Sequence, residues 1–430
     1  MSKFIITGPK TLTGEFKVNG SKNAATPIIA ACLLVKHPCV LDNVPRVSDV
    51  YKMLDLLMSL GAQIQWTGDH QVTINTEPTT LQNLNDQLIK TMRSSVLLIG
   101  PLLSRFGGVE LPEPGGCFLG NRPLDTHLAI LQQFGANINS QKDEQGKTNL
   151  KITLDKLNGA AITLPEFSVT ATENAIMLAV LANGNTTIKL AAQEPHVQDL
   201  IKFLNSAGAQ IKIEPNNQIT VNGVQKLNGA THKIIPDMLE AGTMAVAGTL
   251  LGDELTICDL DVNHLDIVLL KLKEIGADIT VGQTGECTWS LKIKRSHNLK
   301  PFKVQALPYP GFPTDLQEPF SLLATQCQGA SLIHDPLFED RMRHIPELVR
   351  MGASALVCDP HRSIITGPTP LSSYELKSPN IRGGGMFVIA GLVADGETMI
   401  NDVENTIDRG YERLEVRLNE LGAGIKRIEE

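Results

Sequence analysis

Cys117 sits inside Pro112-Glu113-Pro114-Gly115-Gly116-Cys117-Phe118-Leu119-Gly120-Asn121-Arg122, a segment whose prolines and glycines predict a hydrophilic loop. A thiol near cationic groups has a depressed pKa, and Arg122 lies five residues on, so Cys117 could act as an acid, a base or a nucleophile. A second candidate closes Pro310-Gly311-Phe312-Pro313-Thr314-Asp315. That stiff approach either makes Asp315 the N-cap of the helix it begins or holds it as a general base. A third group is cationic: Lys22, Arg93, Arg122, Arg341, Arg343, Arg382 and Arg409. Lys22, Arg93 and Arg382 each stand just ahead of an apolar run, where guanidinium forks and helix N-termini would together bind phosphate or carboxylate. Taken singly, each of these charges is also an ordinary solvated surface group.

The elements that must position these residues are set by an internal repeat. Leu-Gly-Ala-x-Ile or a near variant begins at Leu60, Phe134, Ala207, Ile275, Met351 and Leu421, about 70 residues apart. Each copy follows an apolar helical run, a short β segment and an amphipathic stretch, and each precedes alternating residues that read as a strand and its return. The first module predicts a buried helix over Ile28–Val35, a strand over Cys39–Leu41 and a second helix over Val50–Leu60. The third predicts Ala175–Ala182, Thr186–Leu190 and Val197–Ala207; the sixth, Met386–Val393, Thr398–Asn401 and Tyr411–Leu421. A glycine just past a helix takes the left-handed conformation that closes it. The module is helix, strand, helix, strand, strand, and each is expected to end in a β-ribbon. One helix per module is apolar on all sides and must be enclosed. An open solenoid would leave such helices uncovered. The fold class is therefore α/β, with six modules in two globular halves, three helices inside each, sheets outside, and a cleft between the halves. The boundary falls near Lys233–Met238. Gly383-Gly384-Gly385 opens a buried helix rather than following a strand, which points to close packing.

Length and composition agree with this. A chain of 430 residues at about 150 per domain makes two or three domains, and 42% hydrophobic with 20% charged residues is globular. A net charge of -8 argues against a nucleic-acid partner. No apolar run approaches the roughly 18 residues of a membrane span, and the first residues lack a secretory core. Seven scattered cysteines without a CxxC pair suggest a reducing, cytoplasmic compartment. Those in apolar stretches, Cys32, Cys258 and Cys358 among them, read as buried small hydrophobes. Walker, GxGxxG, HExxH and GxSxG patterns are absent, and no histidine spacing suggests a metal site.

Several strings together carry a family resemblance: Ser21-Lys22-Asn23-Ala24-Ala25, Thr91-Met92-Arg93-Ser94-Ser95, Gly115-Gly116-Cys117, Gly120-x-Arg122-Pro123-x-Asp125-x-His127, Phe312-Pro313-Thr314-Asp315, Phe338-Glu339-x-Arg341 and Asp408-Arg409-Gly410-Tyr411-Glu412-Arg413. End to end, the chain resembles the UDP-N-acetylglucosamine enolpyruvyl transferases. The resemblance implies the two-domain inside-out α/β barrel shared with EPSP synthase. One domain would span 22–235 and the other 1–21 plus 236–430. It implies transfer of the enolpyruvyl group of phosphoenolpyruvate to the 3-hydroxyl of UDP-N-acetylglucosamine with release of phosphate, the committed step of peptidoglycan synthesis. No metal or organic cofactor is implied, and neither a nucleic-acid nor a membrane partner.

By the same resemblance Cys117 is the acid, on a lid loop and the target of the covalent inhibitor fosfomycin, and Asp315 is the base. Lys22, Arg122 and Arg409 would neutralise phosphoenolpyruvate, with Arg341 and Arg382 near its carboxylate. Asn23, Arg93, Arg122, Pro123, Leu124, Asp125, His127, Ser168, Val169, Thr170 and Leu337 complete the implied substrate contacts. The chain departs from the family pattern at Ser48 (commonly lysine), Thr170 (glycine), Met238 (arginine) and Asn380 (aspartate), and its lid has two extra residues. A paralogue acting on another acceptor, or a non-catalytic relative, are the competing readings. The shikimate branch lacks support because its Asn-Ala-Gly-Thr signature is missing.

Overall fold

The computed structural model describes residues 2–81, 85–112, 124–142, 148–282 and 289–429. Its chain divides into two compact units, one taking Met1–Asn19 and Pro236–Glu430, the other lying within Gly20–Ile235.

All six repeat glycines have left-handed backbone: Gly61 (φ 101°), Gly135 (90°), Gly208 (105°), Gly276 (96°), Gly352 (104°) and Gly422 (97°). A Cβ would strain each of them. They close the amphipathic helices Ser48–Ser59, Asp125–Gln133, Pro195–Ser206, Asp266–Ile275, Ile345–Arg350 and Leu414–Asn419. The next amide bonds back into the last turn, Ala62 to the Leu57 carbonyl at 3.0 Å and Ala209 to that of Leu204 at 2.9 Å, which satisfies carbonyls the helix leaves open.

The central helices are the buried ones. In the 20–235 unit they are Lys22–Ala31, Ile99–Phe106 and Val169–Ala179; in the other, Met238–Leu251, Gln317–Ala324 and Ile381–Val393. Every residue from Leu239 to Leu251 is buried, as an enclosed helix requires. Each unit has its own apolar core around its helices. Strands such as Val72–Asn75 alternate buried and half-buried residues, one face inward and one outward. The architecture is thus helices inside and sheets outside in both units.

Among the described residues, five sheets have four strands and one has three. Each four-stranded sheet has a parallel strand at one edge, three residues long in four of them, for example Ala161–Thr163 beside Asn185–Lys189, with Ile162 opposite Ile188. The sixth module departs from the expected ribbon. After Leu414–Asn419 it contributes one strand, Ile425–Glu429, whose antiparallel partner is Ser2–Gly8, with Phe4 opposite Arg427. Ser2–Gly8 also pairs with Gly396–Asn401, and Leu12–Lys17 runs parallel to Gly252–Cys258.

Other differences are local. The buried helices begin earlier than the apolar runs, because they start at a polar cap: Ser21 Oγ accepts from the Ala24 amide at 3.3 Å ahead of Lys22–Ala31, and Ser168 and Asn380 act likewise. The helix expected over Tyr411–Leu421 is cut to Leu414–Asn419, since Arg413 takes φ 43° and interrupts it. Cys358 is exposed on the sheet-edge strand Ser354–Asp359, not buried, because an edge strand is covered on fewer sides. The three glycines do serve close packing. A Cβ would lie 2.9 Å from Pro379 at Gly383, 2.6 Å from Ile407 at Gly384 and 2.7 Å from the Tyr411 ring at Gly385.

Candidate functional site

In the 236–430 unit the structure brings Asp315, Arg341 and Arg382 together. Asp315 lies in the 3-10 turn Thr314–Leu316, and of its two sequence readings the N-cap bond does not form. Its carboxylate instead accepts from Arg341 Nη2 on one oxygen and from Arg382 Nε at 3.2 Å on the other. Arg341 belongs to the turn Glu339–Met342 and Arg382 to the first turn of Ile381–Val393; both are buried. Burial alone would push Asp315 up, but Arg341 and Arg382 outweigh it and hold the carboxyl well below the usual carboxylate range. Asp237 Oδ2 stands 4.0 Å from Arg382 Nη2, and the Arg382 guanidinium lies 5.4 Å from the centre of the Tyr411 ring. Arg341 Nε and Nη1 and Arg382 Nη1 are buried donors without a hydrogen-bond partner among the described residues. Guanidinium donors left in that state are ready for an anionic oxygen.

Arg409 is half-buried in the turn Ile407–Arg409. Its neighbour Asp408 accepts two parallel bonds from Arg427, at 2.9 and 2.7 Å, which anchors that turn. Leu337 is exposed, and its amide donates to Asp335 Oδ1 at 2.9 Å. Arg343 is an exposed residue paired with Asp340 three positions back, a solvated surface charge.

In the 20–235 unit Lys22 opens Lys22–Ala31, and its Nζ is 3.1 Å from Asp49 Oδ2, a buried carboxylate in Ser48–Ser59. Asn23 follows it, half-buried, and Ser48 is the first residue of Asp49's helix. Arg93 opens the 3-10 helix Arg93–Leu98. Leu124 is buried ahead of Asp125–Gln133, in which Asp125 is exposed and His127 buried. His127 Nε2 lies 3.0 Å from Thr170 Oγ1, and its Nδ1 3.1 Å from Asn174 Nδ2. An amide nitrogen only donates, so Nδ1 accepts and Nε2 carries the proton toward Thr170. Burial, with the Arg93 charge adding to it, pulls His127 down to about 3, so the ring is neutral near pH 7. Ser168 caps Val169–Ala179, in whose first turn Val169 and Thr170 are half-buried. Cys117, Arg122 and Pro123 lie outside the described residues.

A family model described as EPSP synthase (3-phosphoshikimate 1-carboxyvinyltransferase) matches residues 6–418. The chain belongs to this enolpyruvyl transferase family. The UDP-N-acetylglucosamine 1-carboxyvinyltransferase of Koribacter versatilis is 41% identical over 433 residues, covering 100% of this chain and 97% of the relative. That of Klebsiella pneumoniae is 40% identical over 428 residues, covering 100% and 99%. Among solved structures, the enolpyruvyl transferase NikO from Streptomyces tendae superposes with a TM-score of 0.88 at 23% identity over 99% of both chains. EPSP synthase from Acinetobacter baumannii does so with a TM-score of 0.75 at 21% identity over 100% of both chains. At these identities the two structures establish the shared fold.

Within this enolpyruvyl transferase, several neighbours of the candidate residues escaped the sequence reading. Asp49 beside Lys22, Asn174 beside His127 and Glu318 beside Arg341 come from other helices, and nothing local marks them. Asp237 does carry a signal. It follows a proline and heads an apolar run, and it caps Met238–Leu251 by accepting from Leu239 and Glu240. Asn380, where the family pattern has aspartate, caps Arg382 and Gly383 at 2.9 Å each, so the substitution keeps the cap and drops the charge.

Proposed function

We propose that the chain transfers the enolpyruvyl group of phosphoenolpyruvate to the 3-hydroxyl of UDP-N-acetylglucosamine and releases phosphate, the first committed step of peptidoglycan synthesis, in the cytoplasm. The observation that carries this is full-length identity of about 40% to transferases named for that sugar nucleotide. Among the described residues no helix is long and apolar enough to cross a membrane.

The proposed chemistry needs an acid and a base. A proton from Cys117 goes to C3 of phosphoenolpyruvate, C2 gains positive character, and the sugar oxygen attacks it while Asp315 takes the hydroxyl proton. The C2–O bond to phosphate then breaks, phosphate leaving with the electron pair and the proton held by Asp315, while the Cys117 thiolate takes a C3 proton, which restores the double bond and both groups. Arg341 and Arg382 are assigned to the substrate carboxylate, and Lys22, Arg122 and Arg409 to its phosphate. The support for this division is the buried, incompletely bonded guanidinium pair. Asn23, Arg93, Leu124, Asp125, His127, Ser168, Val169 and Thr170 are assigned to the sugar nucleotide, with Pro123 and Leu337 beside the substrates. Water exclusion by the Cys117 loop would protect the cationic centre.

Phosphate release from phosphoenolpyruvate tests the assignment, with UDP-N-acetylglucosamine or 3-phosphoshikimate as acceptor. Turnover is expected with the first alone, and turnover only with the second would reassign the acceptor. Fosfomycin is expected to label Cys117 and to leave Cys117→Ala unlabelled and severely impaired. Labelling at another cysteine would overturn the role given to Cys117.

A further inference from the structure

Glu318 lies in the first turn of Gln317–Ala324 and is 1% exposed. Its Oε1 accepts from Asn380 Nδ2 at 2.8 Å and stands 3.9 Å from Arg341 Nη1, while Oε2 has no hydrogen-bond partner among the described residues. The same carboxyl therefore touches the residue that caps Arg382's helix and the guanidinium that holds Asp315. A buried carboxylate oxygen without a donor is costly, and the cost falls when the group carries a proton. Burial pushes Glu318 up to about 7, against the pull of Arg341, Asn380 and Arg382, with Asp315 adding to the push.

Charged and polar groups on three neighbouring elements act on Glu318 directly, and two more act on its partners. Arg341 faces Glu318 from the turn Glu339–Met342, Asp315 from Thr314–Leu316, and Asn380 and Arg382 from the start of Ile381–Val393. At the head of Met238–Leu251, Asp237 is engaged with Arg382, and Asp335, after strand Gly329–His334, acts on Arg341. His344 is buried and neutral near pH 7. With Glu318 ionised, Arg341 feels three carboxylates of the protein, Asp315, Glu318 and Asp335; with Glu318 protonated, two.

Resting on the assignment of Arg341 and Arg382 to the substrate carboxylate, we propose that Glu318 is a positioning residue that makes capture of phosphoenolpyruvate proton-linked: the protonated carboxyl leaves Arg341 available to the anion, and the ionised one competes with it. The same contact orients Asn380, and through that cap the first turn carrying Arg382.

The test is KM for phosphoenolpyruvate at saturating UDP-N-acetylglucosamine between about pH 6 and 9, for the wild type and Glu318→Gln. The amide matches the carboxyl in size, keeps an oxygen for Asn380 and cannot ionise. The ratio of wild-type to variant KM is expected to rise above about pH 7, approaching tenfold per pH unit, while kcat moves less than KM. The phosphate of phosphoenolpyruvate titrates equally in both, so it cancels from the comparison. Parallel profiles with normal turnover would sink the role of Glu318 and leave the reaction standing, whereas no phosphate release from the wild type at any pH would overturn both. Asn380→Asp provides a second arm should Glu318→Gln not fold. It keeps a cap of similar strength and sets an anion against Glu318, so the break in KM moves to higher pH; an unmoved break counts against the proposal.

Discussion

Asp315 is held ionised by Arg341 and Arg382, and a carboxylate held that way is a weak base until something else occupies its guanidiniums. An arriving substrate carboxylate would do so, and the proton affinity of Asp315 would climb at the moment the sugar hydroxyl needs an acceptor. Asp315→Ala is therefore expected to lower kcat by about 10²- to 10⁴-fold while both substrates still bind, measured by steady-state rates and by calorimetric titration. A near-normal rate would place the base elsewhere. The residue types and the stiff Phe-Pro-Thr-Asp approach were legible in the sequence. The partners of the carboxylate were not, because Arg341 and Arg382 lie 26 and 67 positions away and only packing brings them to it.

At the scale of elements, the last central helix carries Arg382 on a first turn made of glycines, and the packing there is tight. Gly385→Ala would drive a methyl to 2.7 Å from the Tyr411 ring, over which Arg382 stacks. Overpacking of this kind costs about 1–3 kcal/mol. The variant is expected to unfold at lower denaturant and, by displacing Tyr411, to raise KM for phosphoenolpyruvate; an unchanged unfolding midpoint would mean the ring moves aside freely. The repeat announced this helix, and the Gly-Ala pairs announced the ends of the amphipathic ones, because a left-handed residue at a helix end is a local requirement that glycine meets. The starts were harder to place. An apolar run marks what is buried, whereas the helix begins at the polar cap several residues earlier.

For the whole molecule, buried titratable groups shape the dependence of stability on pH. His127 and His344 are each pulled down to about 3, chiefly by burial. The unfolded chain takes up their protons first, so the stability tied to their neutral rings is complete above about pH 6.5 and is lost as pH falls toward 3. Glu318 has the opposite sign. Its folded-state affinity for the proton is raised from the ordinary 4.5 to about 7, so its contribution is complete below 4.5 and is lost as pH rises through 7. At about 1.4 kcal/mol for each tenfold change, Glu318→Gln should gain up to about 3 kcal/mol over the wild type between pH 4.5 and 8. Thermal midpoints at both pH values measure the gap, and a gap that does not widen would show that Glu318 ionises freely in the folded chain.

Composition, the six-fold glycine repeat and the capped apolar helices are properties of short stretches, and short stretches obey rules of period and backbone conformation that can be read along the chain. Fold class, module order and the candidate cations follow from those rules. The pairing of Ser2–Gly8 with Ile425–Glu429, the triangle of Asp315 with Arg341 and Arg382, and the burial of Glu318 beside them join residues far apart in order. Such contacts depend on which surfaces close on one another when the apolar helices are enclosed, and no local pattern encodes that choice. Proton affinities belong to the same class, since they are set by the charges and the solvent exclusion that closure creates.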